Sequence, residues 1–159
     1  MANEEEIKNY LKSNNIFNTL DKYYHDDELL ILLNIILEEH QYYNIIFVLN
    51  KLSYKKEFDE IRQKVLDENI NYIDSFDIML IISTIFDDEL KLYLLNKYFD
   101  KFDKNFEIAH IINSLHGDKI KINTFKEYIQ YYESESFSDY LRKIKDDNLR
   151  TSEFLLYKE

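Results

Sequence analysis

The chain has 159 residues, of which 45% are hydrophobic, and this is enough apolar material for one globular domain with a buried core. Its formal net charge is −11, so we expect neither nucleic acid nor an anionic membrane as a partner, because both attract basic proteins. Such a charge favours a basic protein as the partner. The absence of cysteine excludes a disulfide framework and a thiolate metal site.

The amino-terminal segment does not look like a secretory leader, because MANEEEIKNY has no basic stretch followed by an apolar one. The longest apolar run, LLILLNIIL at 29–37, is about half of the ~18 residues that a membrane-spanning helix needs. We therefore expect a cytoplasmic protein with no membrane association.

Turn-forming residues are almost missing, since the chain has no proline and one glycine. Tight β-turns are hard to build without them. Apolar residues also recur at intervals of three and four, as in Ile108, Ile111, Ile112 and Leu115, which is the pattern of a helical face. The sequence predicts an all-α fold that begins with a helix over 4–13.

After this helix the chain repeats itself five times at intervals of about 30 residues. The repeats align on the anchor positions Asp27, Lys56, Asp88, Asp118 and Asp147. Three positions relative to the anchor are apolar or aromatic in every repeat. The residues ten before the anchors are Phe17, Ile46, Ile78, Ile108 and Phe137, and those seven before are Leu20, Leu49, Ile81, Ile111 and Tyr140. The residues ten after the anchors are Leu37, Leu66, Tyr98, Tyr128 and Tyr157. The predicted repeats span approximately 14–42, 43–73, 74–103, 104–133 and 134–158 of one domain, 1–159.

Each repeat predicts a first helix, a turn that contains the anchor, and a second helix. Residues that commonly cap helices stand twelve or thirteen positions before the anchors: Asn14 or Asn15, Asn44, Ser75, Asn105 and Ser134. The anchor aspartates are expected to cap the second helices and to meet the positive ends of their dipoles. Gly117 follows a first helix, where we expect a left-handed C-cap.

Three repeats resemble short HEAT-like repeats, in which an aspartate in the turn is followed by an apolar and then a basic residue. The matching stretches are Asp88-Glu89-Leu90-Lys91, Asp118-Lys119-Ile120-Lys121 and Asp147-Asn148-Leu149-Arg150. The first two repeats depart, because Leu30 and Asp59 stand in the basic position and Lys56 replaces an aspartate. The resemblance implies an α-solenoid of about five antiparallel helical hairpins with an extra N-terminal helix. It also implies a curved protein-binding surface and an internal ladder of these aspartates and basic residues.

Candidates for catalysis are few. The four histidines are His25, His40, His110 and His116. None of them has the H-x-x-x-H spacing that places two imidazoles on one helix face. His25, Asp26 and Asp27 leave a metal-dependent hydrolase as one alternative, but a single glycine excludes phosphate-binding and dinucleotide-binding loops. We expect no enzymatic activity, no metal and no cofactor.

The acidic residues are concentrated in the first third, where residues 1–50 carry nine acids and three bases. Beside them lies the apolar run 29–37, whose apolar excess is either covered by the N-terminal helix or exposed to a partner. Acidic groups around an apolar or aromatic centre are typical of an interface. The predicted partner-binding residues are Asp21, Asp26, Asp27, Glu28, Ile31, Ile35, Glu38, Glu39, Tyr42 and Tyr43. Tyr131 and Tyr132 form the alternative interface.

These observations favour a non-enzymatic protein-binding module. In size, acidity and lack of catalytic motifs, the chain is similar to small acidic bacterial immunity proteins. That resemblance implies an inhibitor that blocks a basic partner such as a toxin or effector. The alternative is an adaptor or scaffold, or a viral or phage host-modulator, that docks a peptide helix. The partner's identity and the oligomeric state are left open.

Overall fold

In the computed structural model, the described residues 2–158 form α-helices and short 3₁₀ turns and contain no β-strand. This confirms the all-α prediction. The α-helices are α1 (Glu4–Ser13), α2 (Ile16–Lys22), α3 (Asp26–Glu38), α4 (Ile45–Lys51), α5 (Asp59–Asn69), α6 (Ser75–Ser83), α7 (Asp88–Lys97), α8 (Asn105–Asn113), α9 (Asp118–Glu127), α10 (Ser134–Lys143) and α11 (Asp147–Tyr157). The 3₁₀ turns are Tyr42–Asn44, Lys56–Phe58, Ile70–Tyr72, Phe99–Lys101 and Ile129–Tyr131. Within 2–158, none of the helices combines the length and the apolar character that crossing a membrane requires.

The residues up to Phe86 form a compact unit, unit 1, which contains α1–α6. Here α1 packs against α2 and α3, α4 packs against α2, α3 and α6, and α5 packs against α6. The core is aliphatic, and its fully buried side chains include Ile7, Leu32, Ile36 and Leu49. Because both α1 and α4 pack against α3, much of the apolar surface of this helix is removed from water.

The residues from Asp87 form a second compact unit, unit 2, which contains α7–α11. In this unit α8 packs against α7, α9 and α10, and α10 packs against α11. Part of its core is aromatic: Phe125 of α9 stacks on Tyr140 of α10, with ring centroids 4.1 Å apart. The hydroxyl of Tyr140 donates a hydrogen bond to Glu153 of α11, and both side chains are buried. The stacking and the satisfied hydroxyl stabilise the contacts of the last three helices.

In unit 1, aspartates at the start of second helices bind the turn of the following repeat. The carboxylate of Asp26, the first residue of α3, accepts hydrogen bonds from the Ser53 N–H at 3.0 Å and from the Ser53 hydroxyl at 2.7 Å. Asp59, the first residue of α5, accepts from the Phe86 N–H at 2.7 Å. Each of these bonds joins residues 27 positions apart, so each ties one repeat to the next.

Unit 2 contains the same interaction twice. Asp88, the first residue of α7, accepts from the N–H groups of the turn 116–117 at 2.9 and 3.0 Å. Asp118, the first residue of α9, accepts from the N–H groups of the turn 145–146, both at 2.9 Å. Ionised acceptors make stronger hydrogen bonds than neutral ones, which suits this long-range role.

A basic residue three positions after the aspartate binds the end of a first helix. Lys91 donates from Nζ to the carbonyl of Ser114 at 2.7 Å, and Lys121 donates to that of Lys143 at 2.5 Å, at the ends of α8 and α10. Arg62 instead binds two carbonyl groups at the end of α4, in its own repeat, at 3.0 and 2.8 Å. All three side chains are buried. Their charges are thus paired with carbonyl groups that a helix leaves unsatisfied at its C-terminal end.

The structure corrects the predicted register of the first two repeats. The second helix of the first repeat begins at Asp26, so Asp26 and not Asp27 fills the anchor position. In the second repeat the 3₁₀ turn Lys56–Phe58 precedes α5, and the anchor is Asp59. The basic position there is therefore Arg62. The extra turn lengthens the first interval between anchors to 33 residues, whereas the others are 29, 30 and 29.

The predicted caps are partly wrong. Asn15 and Asn44 stand at the N-caps of α2 and α4, but α6, α8 and α10 are preceded by Asp74, Lys104 and Glu133. The predicted caps of these three helices, at positions 75, 105 and 134, are instead their first helical residues. The anchor aspartates are also the first residues of their helices and not the caps, and the carboxylates of Asp26, Asp59, Asp88 and Asp118 bind the next repeat.

Gly117 does not take the expected left-handed conformation, since its φ is −76°. It stands at the N-cap of α9, and its N–H donates to Asp88 at 3.0 Å. A Cβ atom at this position would lie 3.1 Å from Cγ2 of Ile120. The glycine is therefore suited to close packing in the turn.

We expect Asp118→Asn to lower the free energy of unfolding by about 1–2 kcal/mol at pH 7, because a neutral amide accepts more weakly from the two turn N–H groups. Burial acts to raise the pKa of Asp118, but the two backbone donors and the charge of Lys121 hold it below its ordinary value. This stabilisation is present above about pH 4 and is lost as the pH falls through the folded-state pKa. Urea unfolding followed by circular dichroism at pH 7 and at pH 3 measures both effects.

Asp100→Asn is the matched control, since Asp100 is exposed in a 3₁₀ turn of the same unit. If Asp118→Asn costs no more than this control at pH 7, the Asp118 carboxylate does not hold the two repeats together.

Asp77 lies half-buried in the first turn of α6, and burial together with the charge of Asp74 raises its pKa to about 6. The unfolded chain ionises this group near pH 4, so the folded state loses stability as the pH rises from about 4 through 6. We expect Asp77→Asn to stabilise the protein by about 0.5–1 kcal/mol at pH 7.5, after allowance for solvent screening, and to have little effect at pH 4. Chemical unfolding at both pH values tests this, and an equal gain at both would contradict it.

Candidate protein-binding surfaces

The predicted partner-binding residues all lie in unit 1 and differ in exposure. Those exposed to solvent are Asp21, Asp27, Glu38, Glu39 and Tyr43. Those half-buried are Asp26, Ile31 and Tyr42, and those buried are Glu28 and Ile35. Only part of the set is therefore available to a partner.

Ile35 is only 1% exposed, so it does not reach the surface as the interface prediction required. Two explanations were open for the apolar run 29–37, and for Ile35 the structure favours coverage by neighbouring helices, because α1 and α4 both pack against α3. Glu28 is buried on the same helix. Ile31 is half-buried, so only part of its side chain is available to a partner.

Asp26 is largely committed to contacts within the chain. Both of its carboxylate oxygens accept hydrogen bonds from Ser53. Burial acts to raise the pKa of Asp26, but these bonds and the charges of Lys55 and Arg62 hold it below its ordinary value. The carboxylate therefore ties the first two repeats together and has little capacity left for a ligand.

The metal-dependent hydrolase alternative would use this same Asp26 with His25 and Asp27. The ring of His25 lies against that of Tyr24, with centroids 4.5 Å apart. Over residues 2–158, no three His, Asp or Glu side chains converge into a group that could hold a metal ion.

An open groove lies between two second helices of unit 1, and we call it the α3–α5 groove. It encloses about 310 Å³. Its lining residues are Leu30, Leu33, Asn34 and Leu37 from α3, and Ile61, Lys64, Val65 and Glu68 from α5. Five of these eight residues are aliphatic, so the floor is apolar and the polar groups are few. This composition suits the apolar face of a docked helix.

Acidic residues border the α3–α5 groove along α3. Asp27 precedes Leu30 by three positions and Glu38 follows Asn34 by four, so helical geometry places both residues next to groove-lining residues of α3, although neither lines the groove itself. Within the lining itself, α5 contributes one acid, Glu68, and one base, Lys64. An apolar floor with a negatively charged border is complementary to an apolar segment flanked by bases.

A second hollow, of about 430 Å³, lies on the side of the first helices α2 and α4. We call it the α2–α4 aromatic face. The rings of Phe17 and Phe47 meet there edge to face with centroids 4.9 Å apart, and both are exposed. Tyr43 also lines the hollow and is 70% exposed. Asp21 lies one helical turn after Phe17 and brings an acid to this surface.

The repeat alignment places Phe17 at the apolar position ten residues before the first anchor, and its exposure to solvent is a correction. With the anchor at Asp26 instead of Asp27, the position ten residues earlier is Ile16, which is buried. A shift of one residue turns a helical side chain by about 100°. The register error thus explains why sequence reasoning missed an exposed aromatic residue.

The two adjacent tyrosines of the predicted interface have separate environments. The ring of Tyr42 stacks on that of Tyr72 with centroids 4.5 Å apart, and its hydroxyl lies 2.8 Å from Nδ1 of His40. Tyr43 points to the α2–α4 aromatic face. The structure therefore leaves Tyr43 as the more available of the two.

The alternative interface in unit 2 is mostly internal. The Tyr132 hydroxyl donates to Oδ1 of Asn113 at 2.7 Å, and its ring packs edge to face on Phe125. Burial raises the pKa of Tyr132, with a further contribution from the charge of Asp139. Tyr131 is half-buried against Phe99, with ring centroids 5.6 Å apart. Tyr132 therefore supports the core of unit 2.

Comparison of the chain with protein-family models, with curated protein sequences and with solved structures gives no match. The surfaces of unit 1 and the contacts between repeats are therefore the features of the chain that bear on its function.

Proposed function

We propose that the chain is a non-enzymatic protein-binding module, and that it acts as an acidic, immunity-type inhibitor that blocks a basic protein such as a toxin or effector. The observation that carries this proposal is the apolar floor of the α3–α5 groove, and helical spacing places the exposed acids Asp27 and Glu38 of α3 beside it. A basic partner would place aliphatic or aromatic side chains on the floor and its bases on the border.

The architecture that we propose for this module is an α-solenoid of five helical hairpins with α1 at its N-terminal end, as in HEAT-like repeats. Support comes from the recurrence of one set of contacts in four successive repeats. Asp26, Asp59, Asp88 and Asp118 each accept hydrogen bonds from the turn of the following repeat. Repeated nearest-neighbour contacts of this kind are the basis of solenoid stability.

Charge supports the choice of a basic partner. The chain carries a net charge of −11, and its first 50 residues hold nine acids against three bases. A negative surface accelerates encounter with a cationic protein, and added salt screens this acceleration. Because Asp26 and Glu28 are engaged or buried, the exposed acids Asp21, Asp27, Glu38 and Glu39 are the ones that we assign to the encounter.

The alternative is an adaptor or scaffold, or a viral or phage host-modulator, that docks a peptide helix in the same groove. The apolar lining residues Leu30, Leu33, Leu37, Ile61 and Val65 favour it, because stripes at helical spacing on two neighbouring helices suit helix-in-groove binding. The two functions differ in their dependence on charge. An adaptor of this type binds mainly through the apolar floor of the α3–α5 groove. An inhibitor of a basic protein needs the acidic residues Asp27 and Glu38 beside the groove as well.

Synthetic amphipathic helical peptides with one leucine face and either lysine, glutamine or glutamate flanks separate these cases. We expect the lysine-flanked peptide to bind best and to lose affinity between about 0.05 and 0.3 M NaCl. Asp27→Lys combined with Glu38→Lys is expected to weaken it about fivefold or more, since each reversal changes a border contact. Fluorescence anisotropy measures these affinities.

The matched control is Asp100→Lys combined with Glu127→Lys, which makes the same change in net charge at exposed positions of unit 2. Equal weakening by both double variants would show only a net-charge effect and would contradict the assigned border. Equal binding of the lysine and glutamine peptides, with a loss caused by Leu30→Asp, would favour the adaptor.

A further inference from the structure

The helix α11 carries a copy of the residues that join repeats elsewhere in the chain. Its first residue is Asp147, its fourth is Arg150, and its eighth is Phe154. In α9 the same positions are held by Asp118, Lys121 and Phe125. The same order of acid, base and apolar residue occurs in α5 and α7. We call the three residues of α11 the terminal coupling set.

Every earlier copy is occupied. Asp118 binds the N–H groups of the turn 145–146, and Lys121 binds the carbonyl of Lys143 at the end of α10. Phe125 is buried and stacks on Tyr140 of α10. The apolar residue at the eighth position is buried in the other second helices as well: Leu33, Leu66 and Leu95.

The terminal coupling set is exposed instead. The Asp147 side chain is 89% exposed and that of Arg150 is 36% exposed, and the two bind each other. Phe154 is 49% exposed. Leu149, Leu155 and Leu156 on the same helix are also exposed, so α11 presents far more apolar surface to solvent than its internal equivalents.

The earlier copies define what would complement this face. In α7 and α9 the aspartate accepts from the N–H groups of a turn, and the base donates to a carbonyl at the end of the helix before that turn. In α9 the apolar residue also packs against that helix. A single element offers all three contacts: a helix, a turn with free N–H groups, and the start of a following helix.

In a second copy of the chain, most turns cannot supply this element. The N–H groups of the turns 116–117 and 145–146 already bind Asp88 and Asp118. Ser53 and Phe86 likewise donate to Asp26 and Asp59. In the first repeat the N–H groups of Tyr24 and His25 have no recorded acceptor within the described structure, but α1 already packs against both helices of that repeat, α2 and α3.

We propose that the terminal coupling set is a docking site for a helix–turn–helix segment of another protein, which adds to this end of unit 2 as a further repeat. Asp147 would exchange its bond with Arg150 for the N–H groups of the incoming turn. Arg150 would bind the end of the incoming first helix, and Phe154 would pack against it. This site lies in unit 2 and does not depend on the function proposed for the α3–α5 groove.

A synthetic peptide with the sequence of residues 134–158 serves as the probe, because this segment occupies the coupling set of α9 in the intact chain. We expect the labelled peptide to bind the full-length protein and to shift the NMR signals of Asp147, Arg150 and Phe154. A peptide methylated on the backbone nitrogens of Lys145 and Asp146 cannot donate those hydrogen bonds. It is expected to bind about tenfold more weakly or worse.

Asp147→Ala combined with Phe154→Ala is expected to weaken peptide binding by at least about tenfold, whereas Asn148→Ala is expected to leave it unchanged. Position 148 is the matched control because it and its equivalents in α3, α5, α7 and α9 are all exposed. Circular dichroism checks that the variants keep their helices, and sedimentation checks that the chain alone is a monomer. Equal binding by the double variant, equal binding of the methylated peptide, or self-association of the chain through α11 would overturn the proposal.

Discussion

The hydrogen bonds from a second-helix aspartate to the turn of the next repeat are the interaction on which the described contacts between repeats depend. They join residues 27–29 positions apart, and they recur at Asp26, Asp59, Asp88 and Asp118. One carboxylate removes the unsatisfied N–H groups of a turn and fixes the start of its own helix at the same time. A chain with one glycine and no proline thus stabilises its turns with side chains, where other chains use backbone geometry.

Buried basic residues add a second kind of contact, with carbonyl groups at the ends of first helices. Burial lowers the pKa of Lys121, while the charge of Asp118 opposes that shift. The ammonium group is still held 2.5 Å from the carbonyl of Lys143. A buried cation without such a partner is costly, so each base is matched to one helix end. The helix α11 differs from the others, since among the described residues Asp147 and Arg150 pair with each other and not with another repeat.

The all-α fold, the bounds of the N-terminal helix and the last two intervals between anchors followed from the sequence, because apolar spacing indicates helices and internal repetition indicates their number. The register of the early repeats did not. Aspartate doublets such as Asp26-Asp27 and Asp87-Asp88 contain two residues able to start a helix, and only packing decides which one binds the next turn. The turn before Asp59 added residues that no local signal revealed. The candidate surfaces were predictable in part. The sequence showed the acids of α3, but the α5 side of the groove and the exposure of Phe17 could be found only with the correct register of the first two repeats.

The residues that stabilise the fold and those that we assign to binding lie on different sides of the second helices. One side carries the acids and bases that join repeats, and in α3 and α5 other residues form the groove floor.

The most direct test of the contacts between repeats is native amide hydrogen exchange measured by NMR. We expect the amides of Tyr24 and His25, for which the described structure records no acceptor, to exchange about a hundredfold faster than the turn amides that bind an aspartate. The latter are those of Ser53, Phe86, His116, Gly117, Lys145 and Asp146. Equal exchange in the two groups would contradict the coupling of repeats through aspartate.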